Sequence, residues 1–206
     1  MNIQLTNIAK RYRFEWVLRN LHLQLQTGTH YAITGPNGSG KSTLLKILSG
    51  HLTPSRGSID FVLNNKKLSS DLVYNHLSYA APYIDLIEEF TLIEALQFHG
   101  QFKKFIGNQT ADDLIQILGL QKAKHKPIRH FSSGMKQRLK LALAICSDTK
   151  LLLLDEPTAT LDRQGVAWYQ NLIQEFAKDR LVVVASNVEE DFSFCEEQVN
   201  MLAFKK

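Results

Sequence analysis

A chain of 206 residues with a net charge of +4 has room for one α/β domain with a sizeable core and not for two such domains. Its basic residues are spread along the chain rather than gathered in a tail, so the charge does not select a nucleic acid as partner. Two cysteines, Cys146 and Cys195, and seven histidines without ligand spacing argue against a disulfide framework or a His/Cys metal centre and suit a reducing cytosol.

The first predicted elements are strands. Ile3-Gln4-Leu5 is followed by Asn20 to Gln26, where Leu21, Leu23 and Leu25 alternate with polar residues as in a half-buried strand. Met1 to Leu5 lacks the charged and apolar regions of a signal peptide. Tyr31-Ala32-Ile33-Thr34 reads as a buried strand, and Ser42 to Leu48 as a helix. Between them runs Gly35-Pro36-Asn37-Gly38-Ser39-Gly40-Lys41-Ser42-Thr43, which fits G-x-x-x-x-G-K-[ST], the phosphate-binding P-loop, in its required strand-loop-helix context. Gly35, Gly38 and Gly40 let the backbone turn and aim successive N–H groups at phosphate oxygens, and the helix N-terminus adds its dipole. Lys41 reaches the β- and γ-phosphates, Ser42 offers Mg²⁺ a hard oxygen, and Thr43 donates a further hydrogen bond to phosphate.

His51 to Gly57 is a predicted loop, and Ser58-Ile59-Asp60-Phe61-Val62 is a strand that joins the first two in an antiparallel layer. Thr91 to Phe105 reads as a helix opened by the capping box Thr91-Leu92-Ile93-Glu94, and Thr110 with Asp113 opens another through Leu118. These helices interrupt the α/β alternation, which predicts a helical subdomain over 88–142 inserted in a core made of 1–87 and 143–206. The basic run Lys122, Lys124, His125, Lys126, Arg129 and His130 reads as a solvated face, with contact to nucleotide, a partner or anionic lipid headgroups as the alternative.

Ser132 in Phe131-Ser132-Ser133-Gly134-Met135-Lys136-Gln137-Arg138 caps a predicted helix with Met135, Leu139, Ala142 and Cys146 on one side. The start of that helix is a second site suited to an anion. Leu151 to Leu154 and Leu181 to Val184 are continuous apolar runs, as expected for parallel strands covered on both faces. The first ends in Asp155-Glu156-Pro157, delivering two carboxylates to the edge of the sheet where phosphates bind. Asp155 is placed to hold Mg²⁺ and Glu156 to polarise an attacking water. The alternative is a solvated Asp-Glu turn closed by Pro157. No stretch approaches the ~20 apolar residues of a membrane span.

Ser132-Ser133-Gly134-Met135 resembles the signature motif of ATP-binding-cassette (ABC) ATPases, usually Leu-Ser-Gly-Gly-Gln, with departures at Phe131, Ser133 and Met135. Together with the P-loop, Asp155-Glu156 and Thr160-Leu161-Asp162, the resemblance covers essentially the whole chain. It implies a P-loop NTPase fold of the ABC type, with a parallel-sheet core, an antiparallel β layer and an inserted helical subdomain. It also implies ATP and Mg²⁺ as ligands and a head-to-tail dimer, homomeric or heteromeric, in which the signature of one subunit closes over ATP on the P-loop of the other. The activity implied is ATP hydrolysis that drives a transmembrane permease subunit on a separate chain, from the cytoplasmic face of the cell membrane.

Short length and signature resemble exporter-type cassettes, including haem-exporter ATPase subunits. A soluble ABC protein acting on nucleic acid or ribosomes is the second reading, although such proteins carry tandem cassettes, coiled coils or zinc modules that are not visible here. A nucleotide-binding regulatory subunit with little turnover is the third.

Further residues follow from the resemblance alone. Tyr12 matches the aromatic that stacks on adenine, with Phe14 and Trp16 as neighbouring competitors and a strand-edge residue packed on the core as the plainer alternative. Asp162 matches the acidic residue of the dimer-interface loop and also suits the N-cap of the helix Arg163 to Phe176. The family's metal- and water-contacting glutamine falls at Pro82, which has no side-chain oxygen. Its γ-phosphate histidine falls at Asn187, which can donate one hydrogen bond but carries no charge. Alternatively, Asn187 and Glu190 form a helix-start capping box.

Overall fold

The computed structural model describes residues 1–205. Strands β1 (Asn2–Tyr12), β2 (Glu15–Gln26), β4 (Arg56–Leu63) and β5 (Lys66–Leu68) form an antiparallel sheet in the order β2-β1-β4-β5. Strands β3 (His30–Thr34), β6 (Leu77–Ala80), β7 (Leu151–Asp155), β8 (Leu181–Ala185) and β9 (Glu197–Asn200) form a second sheet, order β6-β7-β8-β3-β9, in which every pairing is parallel. The helices are α1 (Lys41–Leu48), α2 (Leu92–Phe102), α3 (Ala111–Leu118), α4 (Ser133–Ile145) and α5 (Arg163–Phe176).

Side-chain alternation along the parallel strands explains why they read as unbroken apolar runs. Leu151, Leu153, Leu181, Val183, Tyr31 and Ile33 face one core, shared with α1 and the antiparallel sheet residues Ile3, Leu5, Leu21 and Leu25. Leu152, Leu154, Val182, Val184 and Ala32 face the other, shared with Leu92, Leu96, Leu114, Leu118, Leu139, Ala142, Tyr169 and Ile173 from α2 to α5. A strand buried on both faces has no polar face to alternate with.

Strand β1 runs on to Tyr12 beyond the predicted Ile3-Gln4-Leu5, β4 starts at Arg56 inside the predicted loop, and β5, β6 and β9 add to the predicted strands; two further differences have a local cause. Strand β2 starts at Glu15 instead of Asn20, because register shifts against β1 and a positive φ of 51° at Asn20 break the period-2 pattern that sequence reading depends on. Helix α2 stops at Phe102, since Phe105 bridges to Ser147 and the Ile106 N–H donates to the Cys146 carbonyl. The capping boxes at Thr91 with Glu94 and at Thr110 with Asp113 are both formed. The basic run from Lys122 to His130 is mostly exposed, with Lys124 paired to Asp112 at 2.5 Å.

Candidate functional site

The site is built where β3, β7 and β8 end. Leaving β3, the chain turns through Gly35, Gly38 and Gly40, with φ of 138°, 77° and 100°. At Gly40 two constraints coincide: the left-handed φ, and a Cβ that would stand 2.7 Å from Leu18 Cδ2 and 3.1 Å from Val17 Cγ1. Only glycine brings the loop this close to β2. Gly40 is also the N-cap of α1 and supplies no side-chain acceptor. The first N–H groups of the helix are therefore left to a ligand in the cradle. Lys41 is 5 % exposed, and its Nζ donates to the Gly35 carbonyl at 2.7 Å, folded along the loop.

At the end of β7, Asp155 is buried, and its Oδ1 has no hydrogen-bond partner. Its Oδ2 accepts a hydrogen bond from the Tyr83 hydroxyl at 3.1 Å. Burial pushes its carboxyl above the usual range and Glu156 adds to that, while the hydroxyls of Ser42 and Tyr83 and the charge of Lys41 pull the other way. A buried carboxylate oxygen without a partner beside a serine hydroxyl is a hard-oxygen donor set, and Ser42 and Asp155 fit Mg²⁺. Ser39 Oγ, within the loop itself, is a second buried oxygen without a partner, 2.8 Å from where a Cβ on Gly35 would stand.

Glu156 follows with φ 46°, a left-handed conformation uncommon for a residue with a Cβ, and its N–H donates to the Ala185 carbonyl at 2.9 Å. Such a backbone costs about 1 kcal/mol and persists where surrounding contacts enforce it. Those contacts were not visible in the sequence. Gln137 Nε2 of α4 donates to the Pro157 carbonyl at 2.7 Å, and Thr158 donates its N–H and hydroxyl to Asp191 Oδ1. Asp191 also accepts from Ser186 at the end of β8, and its carbonyl from the Tyr169 hydroxyl. The turn after β7 is thus bolted to α4, α5 and the segment after β8, which overturns the solvated Asp-Glu turn.

Asn187 reaches the loop from β8: its Oδ1 accepts the Gly35 N–H at 3.1 Å. The capping-box alternative is overturned. The short helical turn Glu189–Asp191 has Val188 as its N-cap, and the Val188 N–H goes to Ser186 Oγ. Pro82 offers only its carbonyl, which accepts from Lys140 Nζ at 3.0 Å. The next residue, Tyr83, makes the contact with Asp155. Its hydroxyl also bonds that of Tyr79, and Lys46 of α1 sits 4.1 Å from its ring centroid. Burial is the first cause that pushes both phenols above the usual tyrosine range. The resemblance pointed to Pro82 and gave no role to Tyr83, whose contact with Asp155 only the structure shows.

Ser132 caps α4, its Oγ accepting the Met135 N–H at 3.2 Å. Ser133, Gly134 and Met135 form the first turn, and a Cβ on Gly134 would stand 3.6 Å from the Thr160 carbonyl. Asp162 caps α5, accepting the Gly165 N–H at 2.7 Å. The α4 start and Asp162 thus flank the turn after Asp155, whereas the loop, Asp155, Tyr83 and Asn187 are joined by direct contacts.

Tyr12 ends β1 with 45 % of its surface exposed and Lys10 Nζ 5.4 Å from its ring, so it is not packed on the core. Trp16 pairs with Arg11, one step from the Tyr12–Glu15 pair, and so faces the other side of the sheet. There the guanidiniums of Arg11, Arg19 and Arg56 lie 5.2–5.6 Å from its ring. Phe14 is almost fully exposed at the hairpin tip.

Comparison with known proteins places this geometry. Residues 18–159 match the family described as ABC transporter. The chain is 32 % identical over 202 residues to the uncharacterised ABC transporter ATP-binding protein YybJ of Bacillus subtilis (strain 168), covering 97 % of this chain and 92 % of that protein. It is 31 % identical over 196 residues to the lantibiotic transport ATP-binding protein SrtF of Streptococcus pyogenes, covering 90 % and 79 %. Among solved structures it resembles the dimeric post-hydrolysis state of the ATP-binding cassette MJ0796 bound to ADP and Pi, with a TM-score of 0.81, 24 % identity and coverage of 96 % and 93 %. At that identity the likeness concerns the fold.

Proposed function

This chain belongs to the ABC transporter family, and we propose how its own residues do the work of an ATP-binding, ATP-hydrolysing transporter subunit. The N–H groups of Gly38, Gly40, Lys41 and Ser42 and the ammonium of Lys41 hold the phosphates, and Thr43 adds a hydroxyl. Ser42 and Asp155 would hold Mg²⁺, which would supply positive charge to screen the phosphates. Glu156, held by its left-handed backbone, polarises the attacking water, and Asn187 fixes the loop from the γ-phosphate side. Tyr12 stacks on the base. Two chains assemble head to tail, so that Ser132, Ser133, Gly134 and Met135 of one close over nucleotide on the other, with Asp162 beside the seam.

The observation that carries this reading is the convergence of Lys41, Ser42, Asp155 and Asn187 on one loop, with a buried Asp155 oxygen lacking any protein partner. Residues 88–142 form the helical subdomain that presents the signature. No described helix is long and apolar enough to cross a membrane; the membrane subunit in this reading is a separate chain, which this one serves from the cytoplasmic face. Exposed Phe98 and Phe102 of α2, with Phe98 in edge-to-face contact with both Phe90 and Phe102, support an apolar partner surface on the outside of α2.

The test is Glu156→Gln, which keeps the side-chain size and removes the base. With saturating ATP·Mg²⁺ it runs as a long-lived dimer in gel filtration, whereas the wild type reverts to monomer as ATP is consumed. Persistence as a monomer refutes head-to-tail closure. In the same preparation, Lys41→Ala loses nucleotide binding by calorimetry, and ATP affinity unchanged by that substitution refutes the P-loop assignment.

A further inference from the structure

The connector between β6 and α2 carries no glutamine at the position where the family uses one, yet it touches the metal-site carboxylate. Tyr83 Oη donates to Asp155 Oδ2 at 3.1 Å, while Asp155 Oδ1 is buried and has no partner. The two oxygens of one carboxylate are thus divided: one is tied to the protein and the other is left for a cation. Tyr83 is itself held from three directions. Tyr79 of β6 bonds its hydroxyl, Lys46 of α1 lies over its ring, and the Pro82 carbonyl just before it takes the ammonium of Lys140 from α4. Two further contacts clamp the same connector to the signature helix and its approach, the ion pair of Lys136 with Glu88 and the Arg129 N–H to the Glu88 carbonyl.

We propose that Tyr83 is the positioning residue of this site: its hydroxyl fixes the rotation of the Asp155 carboxylate so that Oδ1 faces the cation, and it ties that orientation to the helix bearing the signature. The proposal rests on the assignment of Asp155 and Ser42 as ligands of the divalent ion. A tyrosine can do this from the residue after Pro82 because the phenol is long and rigid, reaching from a connector whose backbone is fixed by proline. It acts on the ion only through Asp155, since its single proton is committed to Oδ2. This orienting role is the kind that partners behind a metal ligand play.

The experiment measures Mn²⁺ binding by electron paramagnetic resonance in the presence of a non-hydrolysable ATP analogue, for the wild type, Tyr83→Phe and Tyr83→Leu. Tyr83→Phe keeps the ring under Lys46 and removes only the hydroxyl. It should weaken Mn²⁺ binding by about tenfold, with the melting temperature unchanged and the analogue's affinity in EDTA within about twofold of wild type. Tyr83→Leu should show the same loss in Mn²⁺ affinity together with a lower melting temperature. Mn²⁺ affinity that is unchanged or higher in Tyr83→Phe overturns the proposal, the second result identifying the phenol as a competitor of the ion. Wild-type protein that binds neither analogue nor Mn²⁺ overturns the ligand assignment itself, and with it this proposal.

Discussion

Asn187 contributes a neutral amide at the position where the resemblance to ABC ATPases implies an imidazole, and the structure commits its oxygen to the Gly35 N–H. The amide therefore braces the P-loop but brings no positive charge to the γ-phosphate. Asn187→His is expected to raise kcat by about tenfold while moving KM less than about twofold, because the added donor helps most when γ-phosphate charge is redistributed in the transition state. Steady-state ATPase assays decide this. A kcat that stays level or falls shows that bracing Gly35 is the whole role of Asn187. Glu156 is the other residue whose backbone matters: a left-handed residue with a long side chain is retained because the turn around it is over-determined by Gln137, Thr158 and Asp191.

Helix starts perform two tasks in this protein. The caps at Thr91 and Thr110 stabilise α2 and α3 within their own turns, whereas the caps at Ser132 and Asp162 sit beside the turn that holds Asp155 and Glu156. Asp162 serves α5 through its bond to the Gly165 N–H and also brings a negative charge to the proposed seam. Two substitutions separate these effects. Asp162→Ala should destabilise the fold by about 1 kcal/mol, while Asp162→Ser, which keeps a capping oxygen, should lose only a few tenths. Chemical denaturation measures both. In a Glu156→Gln background, both should weaken the ATP-bound dimer equally if the charge acts across the seam. A dimer weakened by Ala but not by Ser would show that α5 capping is the only contribution.

Across the whole molecule the two cores lie on opposite faces of one parallel sheet, and besides the buried polar groups of the site a second, smaller set lies at the opposite end of β6, β7 and β8. Arg180 is 5 % exposed there and donates to the Ile145 carbonyl, Ser78 and Thr149, joining α4, β6 and the approach to β7. Nearby, His99 bonds Ser147 at 2.8 Å and stacks on Phe105. Burial, and secondarily the charge of Lys103, holds its pKa down at about 4, against an ordinary 6.5. The unfolded chain therefore takes up this proton first as pH falls. His99 contributes stability that is full above pH 6.5 and is lost as pH falls towards 4, amounting to about 2 kcal/mol after allowing for its partial solvent access. Asp155 and Asp191 work in the opposite direction, because burial raises their native pKa values and favours the protonated fold. Urea denaturation at pH 7 and pH 4.5 should show His99→Gln losing less stability on acidification than the wild type. An equal loss in both places the acid sensitivity elsewhere.

The sequence by itself determined many of the features whose physics is local or periodic, although not the short strands β5, β6 and β9. A P-loop is legible because strand, glycines, lysine and helix are contiguous, and the caps at Thr91, Thr110, Ser132 and Asp162 are legible because an N-cap acts three residues ahead. The strands at Leu151 and Leu181 announced themselves because burial on both faces leaves no polar residues. Tertiary structure alone decided what meets at the site from a distance. Tyr83 and Asp155 are 72 residues apart, Asn187 and Gly35 are 152 apart, and Asp191 reaches Thr158 across 33. No local period or propensity encodes these pairings. They follow from the order in which β6, β7, β8 and β3 lie in the sheet, since side chains leaving the ends of neighbouring parallel strands converge whatever their separation along the chain.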